Sequence, residues 1–216
     1  LDRSVQLATA LNIRPIPGCT MVCLQADDSL TEKMGGSSAK GISSVRSKLD
    51  VAMLLCLMFR YACEDCLIVL FRGAALTVLE GPRDGNILAN MQFAVDAATQ
   101  FITSHSGVSA EGFPYALLER HCATRRPLDA LVVVSPQHAD FEAGGEGGVP
   151  AYSMPFFLER LRCEVNPDLL FVNVAMDGDA PLSVGEVLAE NRAVLAGAAV
   201  AGLFERAMRE RTGADL

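Results

Sequence analysis

Residues 27–31 read Asp-Asp-Ser-Leu-Thr, directly after the apolar run Met21-Val22-Cys23-Leu24 and Gln25-Ala26. Acids and hydroxyls at the end of a buried strand suit three kinds of chemistry. They can hold a hard cation such as Mg²⁺, which takes oxygen ligands in an octahedron. A carboxylate there can serve as a nucleophile or a base. Asp and Ser can also simply cap a turn or the next helix. The pattern D-x-S-x-T makes Asp27, Ser29 and Thr31 the ligand candidates.

Other catalytic signatures are missing. A serine elbow needs G-x-S-x-G, and "GVSAEG" (107–112) lacks the second glycine at the right place. There is no G-x-x-x-x-G-K-[ST] loop, and no G-x-G-x-x-G follows the first strand. An aspartate nucleophile of the haloacid-dehalogenase type wants an acid directly at the strand end, where this chain has Gln25. "CEDC" (63–66) is a C-x-x-C placed between a helix end and a strand start. That is the wrong polarity for a thiolate stabilised by a helix N-terminus. His105, His121 and His138 have no ligand spacing, so no zinc site is expected and the cysteines read as core residues.

The elements that must position the acidic turn follow from the apolar pattern. "TMVCLQ" (20–25) reads as a buried strand and 47–62 as a helix, apolar nearly all round and so expected to be the most buried element. Strands "CLIVLF" (66–71) and "ALTVLE" (75–80) flank Gly73, which makes a hairpin and one antiparallel edge. A helix over 86–104, a loop over 104–113 and a helix opened by Pro114 come next. Then come strand 128–135, a glycine-rich loop over 135–153 expected to be the most mobile segment, helix 154–162 and strand 169–175. A short strand near 192–195 and a last helix to about Arg211 complete the order. Strands alternating with helices imply right-handed crossovers and a mostly parallel sheet covered on both faces. The ligand crevice of such a sheet lies beyond the carboxyl ends of its strands, where 25–46, 135–153 and 176–186 fall.

Composition narrows the function. The 216 residues are 50% hydrophobic and 20% charged, which suits a single domain, and the formal net charge is −8. An acidic domain is a poor general binder of nucleic acid, because phosphates need Lys and Arg to displace counterions. The basic groups at Arg120, Arg125, Arg126 and at Arg206, Arg209, Arg211 read as solvated helix faces. Seven cysteines, several inside apolar runs, fit reduced thiols in an intracellular protein. No secretory signal is visible, and "VAMLLCLMF" (51–59) is too short to span a bilayer. The chain starts without Met, so it is expected to be a piece of a longer protein.

The stretch "NIRPIPGCTMVCLQADDSL" (12–30), with this order of elements, resembles a von Willebrand factor A (vWA) domain. More narrowly, it is similar to the C-terminal A domain of the Ro autoantigen (TROVE) ribonucleoprotein family and its telomerase-associated relatives. That family has an N-I-P-P-[IV]-P-G-x-T-L-V segment running into a D-x-S-x-S metal motif. The resemblance continues in "AMLLCLMFRYACEDCLIVLF", "GVSAEGFPYALLE", "LDALVVVSPQ", "NPDLLFVNVAMDG" and "VLAGAAVAGLFERAM", and so covers nearly the whole chain. It implies one three-layer, Rossmann-like vWA domain over 1–216, with an upstream helical-repeat ring that binds small non-coding RNA.

The departures fall on the metal motif. In an ungapped register Gln25 stands where the family has its aspartate, and Asp27 and Ser29 take the two serine positions. A two-residue shift restores D-x-S-x-T with Thr31 but demands an insertion. Ser109 falls on the family's loop threonine; Pro136 replaces a second aspartate, and Asp140, four residues on, would substitute for it only if the loop folds back. The expectation is a degenerate metal-ion-dependent adhesion site (MIDAS) built on Asp27, Ser29 and Ser109, with Thr31 and Asp140 as alternatives. No resident cofactor is expected; Mg²⁺ or another divalent cation is the ion a working site would take. The expected function is a non-catalytic interaction module of an RNA-binding particle, cytoplasmic or nuclear, with protein partners and no membrane. The competing readings are a metal-dependent protein-binding vWA domain of another intracellular complex, and an Asp27-dependent hydrolase.

Overall fold

A computed structural model of the chain describes residues 6–7, 16–32, 47–81, 87–110, 112–136, 153–176 and 193–196. Six strands form one sheet: β1 (Ile16–Gln25), β2 (Cys63–Arg72), β3 (Ala75–Val78), β4 (Ala130–Ser135), β5 (Leu170–Ala175) and β6 (Ala193–Ala196). Their order is β3-β2-β1-β4-β5-β6. Every neighbouring pair is parallel except β2 with β3, the expected hairpin. Among the described residues, four helices of ten or more residues accompany it: α1 (Lys48–Ala62), α2 (Ile87–Ser104), α3 (Tyr115–Thr124) and α4 (Met154–Glu164).

Strand alternation divides the core into two layers. Val22, Leu24, Ile68, Leu70, Val132, Val134, Val172 and Val174 point to the side covered by α1 and α2. Met21, Cys23, Val69, Phe71, Leu131, Val133 and Phe171 point to the side covered by α3 and α4. Each central strand is thus buried on both faces, which is why its sequence reads as a continuous apolar run rather than an alternating one. On the α3/α4 side, Tyr115 stacks on Phe157 with ring centroids 5.1 Å apart, and Phe113 meets Phe71 edge-on.

Element ends have local causes. Ser47 and Asp50 form a capping box at the start of α1, each satisfying the other's backbone N–H. Cys63 closes α1, donating its N–H to Phe59, and takes extended backbone angles that begin β2. The chain therefore passes from helix to strand without a loop, and β2 starts three residues before the expected strand. At the other edge, β3 is only four residues long.

Two expectations change. The helix at 47–62 was expected to be the most buried element, but α1 has six fully buried residues and the rest half-buried, whereas all six residues of β4 are buried. A helix against one face of a sheet always turns a side away from it, while an inner strand is enclosed on both faces and along both edges. Strand β4 also starts two residues later than expected, because Asp129 is used to brace the foot of β1. The loop over 137–152, with Asp140, and the helix expected up to Arg211 lie outside the described residues, as does most of 1–15.

Candidate functional site

The strand order reverses at β1, which has β2 on one side and β4 on the other. The chain leaves β1 for β2 on one side and returns later to β4 on the other, which opens a crevice at the carboxyl end of β1. The acidic turn sits there. Ala26 continues the ladder by donating its N–H to Phe71 O at 2.7 Å, and residues Asp28–Thr31 then form a single 3-10 turn. Leu30 is fully buried and anchors the turn to the α1/α2 layer.

Each candidate ligand has a definite place. Asp27 precedes the turn and accepts the Ser29 N–H on Oδ1 at 2.9 Å, the ordinary cap of a turn. The Thr31 hydroxyl donates to Asp28 O at 2.6 Å and is exposed. Ser109 lies in the turn after α2 and is exposed. Its turn is held against the acidic turn on both sides: Gln25 Nε2 donates to Ala110 O at 2.7 Å, and Arg72 Nε donates to Val108 O at 2.7 Å. The structure thus brings Asp27, Ser29, Thr31 and the Ser109 turn to one end of the sheet. At β4 the neighbouring position offers no carboxylate: Ser135 and Pro136 are both buried. Asp140 lies outside the described residues.

The residue that sequence reasoning missed is Arg72. It ends β2 and is 5% exposed. Its Nη2 pairs with Asp28 Oδ2 at 2.8 Å and reaches Ser106 O at 3.5 Å. The guanidinium beside Asp28 holds that carboxyl below the usual carboxylate range. The signal was present, a cation closing an apolar strand just before the turn glycine Gly73, but its partner is 44 residues away in sequence.

These donors suit Mg²⁺ poorly. Gln25, at the end of β1, donates its amide rather than offering a charge. One Asp27 oxygen is committed to a backbone N–H, Asp28 is committed to a guanidinium, and a fixed positive charge already occupies the site's floor. Among the described residues no group of three His, Cys, Asp or Glu side chains could hold a metal ion.

The C-x-x-C pair is at the opposite end of the sheet. Cys63 and Cys66 are buried at the amino end of β2, facing α1. A hydrogen bond from Cys66 pulls the Cys63 thiol down, while the same contact and burial push Cys66 up. All seven cysteines are free.

These features define a three-layer, Rossmann-like α/β domain of the vWA kind, with its crevice at the carboxyl end of β1. Among solved structures the chain is similar to the Ro (RSR) protein of Deinococcus radiodurans, at 15% identity and a TM-score of 0.61. The match covers 97% of this chain and 38% of that one. At this identity the likeness establishes the fold. The D319A mutant of the PilB minor pilin from Streptococcus sanguinis matches at 10% identity, over 93% of this chain and 62% of that one. Its TM-score is 0.36. No protein-family model matches the chain, and no curated protein matches it.

Proposed function

We propose that this domain is a non-catalytic, Ro-like vWA module of an RNA-associated particle, acting through protein contacts at the carboxyl end of β1. The observation that carries the reading is the likeness in fold, over nearly the whole chain, to a Ro protein more than twice as long. In this reading a further part of the full-length protein binds small non-coding RNA. The vWA domain supplies partner contacts and holds no metal. Its charge of −8 supports protein rather than RNA contacts. Free buried thiols support a reducing, intracellular setting. No helix among the described residues is long and apolar enough to cross a membrane.

The hydrolase reading is weakened by the geometry. The nearest acid, Asp27, caps a turn and has no hydrogen-bonded base beside it among the contacts described. The test is to crosslink and sequence RNA bound to the full-length protein, with and without residues 1–216. The proposal expects RNA to remain bound without the domain and protein partners to be lost. Hydrolysis of a phosphoester or peptide by the purified chain, abolished by Asp27→Ala, would overturn it.

A further inference from the structure

Two turns meet over the end of β1, and Arg72 touches both. From its position at the end of β2 it pairs with the Asp28 carboxylate of the first turn and donates to the Val108 and Ser106 carbonyls of the second. The side chain is 6% exposed, whereas that of Asp28 is 58% exposed, so the cation lies beneath the turns and the anion at the surface. Gln25 adds a neutral tie to Ala110 O. A guanidinium is suited to this place. It is always charged, and its planar fork sends donors in several fixed directions at once. A divalent ion joining oxygens from two loops would supply the same two things, positive charge and directional bonds to oxygen.

Resting on the reading of this site as metal-free, we propose that Arg72 stands in for the divalent ion. Its guanidinium ties the Asp27–Thr31 turn to the Ser106–Ala110 turn, so that the partner-facing end of the sheet is ordered without metal. Three observations converge on this assignment. Arg72 Nη1 is buried and has no hydrogen-bond partner among the described residues, so the group fills the space beneath the turns rather than lying on the surface. The carbonyls of Val108 and Ser106 point at the cation, as oxygens would toward a metal. Gln25, in place of an acid, removes a negative charge that a +2 ion would need and a +1 guanidinium does not. Arg72 is a positioning residue here: a partner would meet the turns, not the guanidinium.

Hydrogen exchange of the 216-residue chain, after EDTA treatment, tests this. In the wild type, Mg²⁺ or Mn²⁺ at about 10 mM is expected to leave the amides of 26–32 and 106–110 unchanged, as for an oxygen site with no functional affinity. Arg72→Gln is expected to speed exchange in both turns together by about tenfold, with β4 unaffected, as local rather than global opening. Should Arg72→Gln fail to fold, Asp28→Asn removes the same ion pair from its exposed partner and is expected to loosen 26–32. Slower exchange in the wild type on adding metal would overturn the proposal, as would unchanged exchange in both turns of Arg72→Gln, or in 26–32 of Asp28→Asn where Arg72→Gln does not fold. Either result leaves the RNA-particle reading standing, because that reading is judged on the RNA and proteins bound by the full-length chain.

Discussion

The Asp27 carboxylate has a structural task of its own, and substitution should expose it. Its Oδ1 accepts the Ser29 N–H, so Asp27→Ala removes a cap and should cost about 0.5–1 kcal/mol, the low part of the range for such caps. Urea unfolding should show a lower midpoint with an unchanged slope. His121 makes a pH prediction. It is 9% exposed on α3, and burial first, then the charges of Arg126 and Arg120, lowers its pKa, partly opposed by a hydrogen bond with the Arg126 backbone. The folded state therefore prefers neutral imidazole, while the unfolded chain keeps the ordinary value of 6.5. Below that pH the unfolded chain binds a proton that the folded chain resists, so stability falls as pH drops from 6.5 toward the folded value. Denaturation between about pH 5 and 6.5 should show that slope in the wild type and a smaller one in His121→Gln. At this scale the sequence was informative in part. Asp27, Ser29 and Ser109 do come to the crevice, but Arg72 was invisible as a site residue because only the β1–β2 register, with Gln25 beside Phe71, brings it beneath them.

Among the elements, β1 is the one whose foot is most exposed to a single change. Gly18 has φ +79 and sits at a register irregularity between Ile16 and Cys19. A Cβ there would run into the Asp129 carboxylate, which accepts the Cys19 N–H at 2.8 Å and Asn166 Nδ2 at 2.9 Å. Gly18→Ala thus combines a left-handed backbone, unfavourable by about 1–2 kcal/mol, with displacement of a bracing group. Chemical denaturation should show a loss above about 2 kcal/mol. The inner strands were readable because enclosure on two faces demands unbroken apolar runs. Their ends were less so. The chain turns from α1 into β2 at Cys63 without the loop that sequence patterns rely on to mark a boundary.

For the whole molecule, charge makes the sharpest prediction. With a net charge of −8, the isolated chain should bind structured RNA more weakly than about 10⁻⁵ M at near-physiological salt, inside or below the ordinary non-specific range. A filter-binding titration checks this. Tight binding with a steep salt dependence would mean that a basic face exists which the overall charge conceals.

Sequence alone determined the alternation of strands and helices, the hairpin at Gly73 and the acidic turn after the first strand. Those features are local: apolar spacing, a turn glycine and neighbouring side chains are all written within a few residues. The tertiary structure decided the rest. Placing β4 beside β1, with β2 on its other side, is a pairing of segments about 110 residues apart, Thr20 with Ala130, and no local pattern specifies it. That order sets the crevice, while the β1–β2 register puts the Arg72 guanidinium under Asp28 and the turn after α2 meets Gln25 through Ala110. An acidic turn reads as a metal motif in sequence because its charges are visible there, while the cation that answers them arrives from a different strand.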